Sequence, residues 1–222
     1  MLRQISMGLL LACSLSAGAD AGGITAESGV KGGLVVAIGC DNPAQIAGLR
    51  VNDRYLVQAI DRDTGKVDVA RAYLQKNRAY GRVTIKRWQG EALPYTDNLV
   101  NLMVTEDHTS IPPAELCRVL APNGVLLSKK SIGLPTSVFR ISKGPDGWHK
   151  AVKAWPDGID EWTHWMHGPD GNPVSGDTFN EIPRSLQWIN APVWQRSHEW
   201  SPPLSALVTA GGRVIYILDD TS

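Results

Sequence analysis

Two residues suited to nucleotide chemistry follow apolar runs near the start of the chain. Gly39 comes directly after the run 34–38, and Asp61 comes directly after the run 55–60, 22 positions after Gly39. A glycine at a strand end lets the backbone approach a ligand, and a carboxylate at this spacing can reach ribose hydroxyls. The pair indicates a nucleoside-bearing ligand; in the alternative, Gly39 only ends a strand and Asp61 interacts with a helix dipole.

Further runs supply the elements that must position these two residues. Apolar residues recur at helical spacing from Val67 to Leu74, and Asp63 or Thr64 is placed to cap that helix. Three more segments have the composition of buried strands, namely 83–88, 99–104 and 125–127. Strands alternating with helices predict an α/β fold with a parallel sheet, whose ligands bind beyond the carboxyl ends of the strands.

Two segments flanking the fourth run carry a family resemblance. Gly90–Asn98 is GEALPYTDN and Glu115–Val125 is ELCRVLAPNGV. In order and spacing they resemble type 11, class I S-adenosylmethionine-dependent methyltransferases, in which G-D-A-x-x-L-P-F, a strand and E-x-x-R-V-L-x-P-G-G follow one another. The resemblance covers residues 30–142 and implies a partial Rossmann-like parallel sheet with S-adenosylmethionine as cofactor.

The resemblance also implies cofactor-binding residues. Gly39 and Cys40 would lie against the methionine part of the cofactor, Asp61 would bind its ribose, and Glu91 would lie near the adenine amine. These roles suit the residue types, because carboxylates accept hydrogen bonds from hydroxyl and amino groups. The resemblance carries over neither a catalytic residue nor a methyl acceptor.

Several positions depart from the family pattern. The first turn, typically D-x-G-C-G-x-G, has Ala37 at the acidic position and has Asp41 and Pro43 at the second and third glycines. Asp41 adds a side chain where close backbone approach is needed, whereas Pro43 suits the first turn of a helix. Asn101 replaces the usual aspartate of the fourth strand, and Asn123 replaces a glycine but accepts a left-handed conformation.

Two larger parts of the family fold are not predicted. Little helical sequence precedes the first strand, and no sixth or seventh strand is predicted after residue 130. We therefore expect a partial domain in which methyltransferase catalysis is vestigial.

The chain changes composition after residue 147. Seven of its eight tryptophans lie beyond that point. The Gly- and Lys-containing stretch 143–150 predicts a linker, and residues 151–222 form a Trp-rich β region. Within it, the apolar run from Leu204, the turn Gly211–Gly212 and the run from Val214 predict a hairpin.

This hairpin resembles the first hairpin of a blade in quinoprotein-like (PQQ-like) β-propellers. A propeller needs several blades, so we expect an incomplete propeller and a fragment of a longer protein. Two alternative functions follow: a non-catalytic exported interaction or structural module of such a protein, or a fragment of a quinone-type oxidoreductase.

Histidines in the Trp-rich region form a weak candidate metal site. His164 and His167 lie near Asp160, Glu161 and Asp170, and imidazole with carboxylate suits zinc or iron. Histidines three residues apart among tryptophans more often serve packing and hydrogen bonding. We therefore predict no metal here and expect aromatic packing.

The N-terminus and the composition indicate where the protein is located and which classes of partner it can bind. Arg3, an apolar stretch and the small residues Ala17–Ala19 predict a signal peptide over residues 1–19 and an exported protein, with Cys13 as an alternative lipoprotein site. The apolar stretch is too short for a transmembrane span. Equal numbers of basic and acidic residues, 22 each, argue against nucleic-acid binding. Cys40 and Cys117 are expected to be free thiols.

Overall fold

The computed structural model describes residues 21–178, 182, 185–186, 189 and 204–218. The predicted signal peptide, with Cys13, lies outside the described residues, as do Trp188, Trp194 and Trp200. None of the helices in the described part has the length and apolar composition needed to cross a bilayer.

Seven strands form one sheet in the order β3-β2-β1-β4-β5-β7-β6. The strands are β1 (Gly33–Ile38), β2 (Tyr55–Asp61), β3 (Val83–Arg87), β4 (Val100–Thr105), β5 (Leu120–Ser128), β6 (Phe139–Lys143) and β7 (His149–Lys153). Four helices accompany them: α1 (Ala21–Ser28), α2 (Pro43–Gly48), α3 (Thr64–Lys76) and α4 (Pro113–Val119). The first five strands are parallel, and β7 runs antiparallel to both of its neighbours.

The five predicted strands and the predicted helix are present. Strand β5 begins at Leu120, five residues earlier than predicted, because α4 leads into it without a connecting loop. The helix α3 begins after Asp63, whose carboxylate accepts hydrogen bonds from the backbone N–H groups of Gly65 and Lys66 at 2.7 and 3.2 Å. The α/β fold class with a mostly parallel sheet is therefore confirmed.

The expectation that no sixth or seventh strand follows residue 130 is wrong. Strands β6 and β7 form an antiparallel hairpin on β5, so the sheet extends to Lys153 and past the predicted boundary at residue 142. The predicted linker 143–150 covers the turn of this hairpin, with a short 3₁₀ turn at Pro145–Gly147, and the strand residues Lys143, His149 and Lys150 on either side of it. Basic residues lie among the apolar ones in both strands, Arg140 and Lys143 in β6 and Lys150 and Lys153 in β7, so neither strand is a continuous apolar run.

Apolar side chains pack on both faces of the sheet. Along β1, Val35 and Ala37 face the layer formed by α1, α2 and α3, while Val36 faces α4. This alternation is the geometry of a strand buried on both sides. The sheet therefore has the two-sided core of a three-layer α/β domain.

The predicted hairpin near the end of the described residues is confirmed. Strands β8 (Leu204–Ala210) and β9 (Arg213–Leu218) pair antiparallel, and Gly211 and Gly212 both have positive φ at the turn. Positive φ at both central positions is the requirement of a two-residue type I′ turn. The backbone of Trp162 is hydrogen-bonded to Thr209 on β8, with distances of 2.7 and 2.8 Å.

Candidate functional site

A cleft of about 350 Å³ lies at the carboxyl edge of the sheet. The strand order reverses between β1 and β4, and ligands of open α/β sheets bind at this point. Residues at or just after the carboxyl ends of β1, β2, β3 and β4 line the cleft, together with residues of α2, of α3 and of the turn before β7. Among them are Gly39, Asp41, Gln45, Asp61, Arg62, Lys66, Trp88, Thr105, Glu106, Asp107 and Trp148.

Gly39 leaves room for a ligand at the end of β1. Its φ is +99°, and the nearest atom to an added Cβ would be the Asp41 carboxylate oxygen Oδ2 at 3.7 Å. Its N–H donates to the Ile60 carbonyl at 2.9 Å, which fixes the turn against β2. The backbone at Gly39 is thus held in a conformation that favours glycine, beside the cleft.

Asp61 joins the turns that follow β1 and β2. One carboxylate oxygen, Oδ2, accepts from the Cys40 N–H at 2.8 Å, and the other, Oδ1, accepts from the Asp63 N–H at 2.9 Å. The residue is half-buried and lines the cleft. Each oxygen has a second lone pair, so the carboxylate retains capacity for two hydroxyl donors. Asp63, rather than Asp61, is the residue that caps α3.

Cys40 and Glu91, the other two predicted cofactor-binding residues, do not line the cleft. The Cys40 side chain is 2% exposed and packs in the core between the sheet and α1–α3. Burial, with Asp61 and Asp41 nearby, raises the pKa of its thiol to about 12. Glu91 is exposed in the loop after β3. Spacing along the chain placed both residues near the sheet edge but could not give the direction of their side chains.

The residues that depart from the family's first turn form a different local structure. Asp41 pairs with Lys66 at 2.6 Å, and both line the cleft. Asn42 caps α2 by accepting from the Gln45 N–H at 3.0 Å, and Pro43 occupies the first turn. The helix start is therefore maintained without the family's glycines, as is expected of Asn at the N-cap and Pro at N1.

Asn101 lies at the amino end of β4, away from the cleft. Its Oδ1 accepts from the Leu34 N–H at 2.9 Å, and so joins β4 to the start of β1. Asn123 has φ of 60°, the left-handed conformation that the sequence predicted for a glycine substitute. Neither of these two residues lines the cleft.

The two segments that carry the resemblance contact each other through Arg118. Its guanidinium donates to the Glu115 carboxylate at 2.6 and 2.8 Å, to the Asp97 carboxylate at 2.6 Å, and to the carbonyls of Leu93 and Tyr95 at 3.2 and 2.8 Å. Glu115 in turn accepts from the Leu93 N–H at 2.6 Å. The hydrogen bonds from Arg118 lower the pKa of Glu115. This motif therefore fixes the loop before β4, and neither Glu115 nor Arg118 lines the cleft.

Two aromatic residues of the cleft were not predicted from the sequence. Trp88 follows β3 and is covered by the Arg62 guanidinium, 4.3 Å from its ring centroid. Its indole N–H donates to the Ala92 carbonyl at 2.7 Å. Trp148 lies in the turn before β7. The sequence pattern did not reveal β7 as a strand of the sheet. Trp88 is the last residue of the predicted strand 83–88, and this position was a usable indication that it lies at this edge.

The charged residues that line the cleft are mainly acidic. They comprise four carboxylates and two cations: Asp41, Asp61, Glu106, Asp107, Arg62 and Lys66. Hydrogen bonds from Thr109 are the main cause of a lowered pKa at Asp107. A surface of this kind favours a ligand that carries positive charge.

His164 and His167 have protein partners. The ring of His167 lies 2.7 Å from the Asp160 carboxylate and packs edge-on against Trp162, with ring centroids 5.2 Å apart. The ring of His164 lies 2.9 Å from the Thr163 hydroxyl. No group of three or more His, Cys, Asp or Glu side chains that could hold a metal ion occurs within the described parts of the chain.

Comparisons with known proteins bear on the fold. No protein-family model matches the chain, and no curated protein matches it at the sequence level. Its structure is similar to that of a Methanococcus maripaludis protein assigned as an S-adenosyl-L-methionine-dependent methyltransferase, with 15% identity, a TM-score of 0.50, and coverage of 63% of this chain and 85% of that one. A SAM-dependent methyltransferase from Aquifex aeolicus matches with 18% identity, a TM-score of 0.46, and coverage of 60% and 88%. The mostly parallel seven-stranded sheet is that of a Rossmann-like, class I methyltransferase fold.

Proposed function

We propose that the chain is a methyltransferase-like protein whose cleft binds S-adenosylmethionine. The observation that carries the proposal is the joint position of Gly39 and Asp61 at the carboxyl edge of the sheet, where the strand order reverses. Gly39 would lie against the methionine part and Asp61 would accept from the ribose hydroxyls. Glu91 has no part in this proposal, because it does not line the cleft.

The cleft suits this cofactor in size and charge. Its volume of about 350 Å³ lies within the usual range for sites that hold small ligands. S-adenosylmethionine carries a sulfonium cation, and four carboxylates against two cations line the cleft. When bound, the cofactor supplies an electrophilic methyl group. Gly39 and Asp61 would hold and orient it.

Calorimetric titration of the purified protein with S-adenosylhomocysteine tests the proposal. We expect saturable binding, and we expect Asp61→Ala to weaken it about tenfold or more, because a hydrogen-bonding charged group is removed. Asp68→Ala is the matched control, since Asp68 is an exposed carboxylate of α3 outside the cleft. Circular dichroism of both variants is needed because Asp61 also holds two backbone N–H groups. The absence of heat from the wild-type protein at millimolar ligand would contradict the proposal.

We further propose that catalysis in this domain is vestigial. The Asp41 side chain stands where the family has a glycine, and its ion pair with Lys66 borders the cleft. If this pair restricts the cofactor, Asp41→Gly will bind S-adenosylhomocysteine more tightly than the wild-type protein. Equal or weaker binding by Asp41→Gly would argue that the pair does not obstruct the cleft.

The β8–β9 hairpin favours a second candidate function, that of a non-catalytic exported interaction or structural module of a PQQ-like propeller protein. Apolar side chains of β9 are exposed, with Ile215 at 57% and Ile217 at 64%. Such exposure is typical of surfaces that contact other protein. If this candidate is correct, Ile215→Thr with Ile217→Thr will reduce self-association in sedimentation velocity, whereas Val51→Thr, at another exposed site, will not. Mass spectrometry of the secreted N-terminus would test the proposed cleavage after residue 19.

A further inference from the structure

His108 is a buried histidine in the loop that borders the cleft beside β4. This loop, residues 106–112, joins β4 to α4, and its residues Glu106, Asp107 and Ser110 line the cleft. His108 is only 7% exposed and does not itself line the cleft. The β4–α4 loop therefore presents polar residues to the ligand edge and buries an ionisable ring between them along the chain.

A hydrogen bond joins the His108 ring to the sheet. The ring nitrogen Nδ1 lies 2.8 Å from the hydroxyl oxygen of Ser128, which is fully buried at the end of β5. The same hydroxyl oxygen accepts from the Lys130 N–H at 3.1 Å. A serine hydroxyl has one O–H to donate, and a neutral imidazole with its proton on Nε2 accepts that O–H at Nδ1. A neutral His108 therefore satisfies both partners of this buried pair.

Protonation of His108 is unfavourable in this position. An imidazolium has a proton on each ring nitrogen, so Nδ1 could no longer accept from the Ser128 hydroxyl. Burial disfavours the cation and is the main cause of a lowered pKa of His108. Two charged groups also act on the ring: Asp107 in the same loop favours the cation, and His149 on β7 disfavours it. The Asp107 carboxylate is exposed and paired with Lys130 at 3.6 Å, so it compensates the buried cation only in part.

Hydrogen bonds within the β4–α4 loop couple His108 to the residues that line the cleft. The Asp107 carboxylate accepts from the N–H and the hydroxyl of Thr109, at 2.9 and 2.6 Å. The Ile111 N–H donates to the His108 carbonyl at 3.0 Å. Because these bonds lie on both sides of His108, displacement of its ring would displace the neighbouring residues that line the cleft as well.

We infer that His108 is a pH-sensitive switch for the cleft: the neutral ring holds the β4–α4 loop on Ser128, and protonation displaces the loop. The inference rests on the proposed function, because the loop supplies two of the four carboxylates that line the cleft. Burial lowers the pKa of His108 below the ordinary value of 6.5, so the packed loop binds fewer protons than the displaced loop. The packed position is therefore stable above about pH 6.5 and is lost as the pH falls below that value.

The pH dependence of S-adenosylhomocysteine binding tests the inference. A histidine of ordinary pKa is about nine-tenths protonated at pH 5.5 and about one-tenth protonated at pH 7.5. The wild-type protein should bind this ligand at least about threefold more weakly at pH 5.5 than at pH 7.5. His108→Asn replaces the ring with a neutral hydrogen-bonding group, and its affinities at the two pH values should agree within about 1.5-fold.

Two histidines outside the cleft provide matched controls. His149→Asn removes the histidine that acts on His108 from β7, and His164→Asn removes one in the Trp-rich region. Both variants should keep the weaker binding at pH 5.5. The inference would be overturned by equal wild-type affinities at the two pH values, by an unchanged pH dependence in His108→Asn, or by its loss in His149→Asn.

Nuclear magnetic resonance of the wild-type protein without ligand gives a measurement that depends neither on the folding of a variant nor on binding. The amide resonances of Thr109 and Ser110 should shift with the same midpoint as the His108 ring. Amides that do not follow this titration would overturn the inference and leave the proposed function intact. If they follow it and the protein binds no S-adenosylhomocysteine at either pH, the proposed function fails while the displacement of the loop by protonation is supported.

Discussion

Lys153 is a buried cation whose removal should destabilise the fold. It is 8% exposed in β7, and its ammonium donates to the Asn98 side chain and to the carbonyls of Cys117 and Leu120, at 2.6, 2.6 and 2.7 Å. These bonds join β7 to the end of α4 and to the loop before β4. Lys153→Met keeps most of the aliphatic stem and removes all three donors.

The size of the effect follows from these three bonds. A hydrogen bond that involves a charged group contributes about 1.5–3 kcal/mol, and burial of an ammonium costs several kcal/mol. The difference between the contribution of the three hydrogen bonds and the cost of burying the ammonium predicts that Lys153→Met lowers the free energy of unfolding by about 2–4 kcal/mol. Urea denaturation followed by tryptophan fluorescence measures this change, with Lys143→Met, an exposed lysine of β6, as control. A loss no larger than that of Lys143→Met would refute the argument.

The pH dependence of stability offers an independent check on Lys153. Burial lowers its pKa in the folded chain. The unfolded chain therefore binds more protons than the folded chain just below the ordinary lysine pKa of about 10.4, and stability should rise with pH in that window. The rise should be absent from Lys153→Met. An identical pH profile for both proteins would show that the ammonium is not the group responsible.

Three further outcomes are expected. Gly33→Ala should lower the free energy of unfolding by about 2 kcal/mol more than Gly81→Ala. Both glycines have positive φ, but a Cβ at Gly33 would overlap the Asn101 side chain, which bonds β1, whereas none of the described atoms lies within 4 Å of a Cβ at Gly81. Equal losses of stability in thermal unfolding would contradict this prediction. The pKa of the Cys40 thiol is raised to about 12, so in the native protein at pH 8 Cys40 should react with iodoacetamide far more slowly than the half-buried Cys117. In urea the two cysteines should react at the same rate. Peptide mapping measures both rates. The pKa of Asp160 is lowered to about 2, mainly by hydrogen bonds from the Gly176 N–H and from His167. The contribution of this carboxylate to the stability of the fold should therefore be complete above about pH 4 and lost as the pH falls toward 2. An NMR titration in which Asp160 has an ordinary carboxyl midpoint would contradict this prediction.

The sequence predicted most of the strands from short segments that are rich in apolar or β-branched residues. Strands β1 to β4 and the β8–β9 hairpin were found to within about two residues, because buried parallel strands and glycine turns leave clear patterns. Strands β6 and β7 were missed, since residues such as Arg140 and Lys150 interrupt their short apolar segments. The polar residues of these two strands led instead to the prediction of a linker over residues 143–150.

The candidate site was predicted in part for a similar reason. Gly39 and Asp61 end strands, so their position at the cleft follows from topology alone. The side chains of Cys40 and Glu91 point elsewhere, and this depends on local backbone geometry that spacing does not reveal. Trp148 was missed together with the hairpin that contributes it.

The hydrogen bonds around Arg118 have a consequence for mutation of this segment. Arg118 and Glu115 hold the loop before β4, and neither residue lines the cleft. A substitution at either residue should therefore lower the stability of the fold and should act on a bound ligand only through the position of that loop.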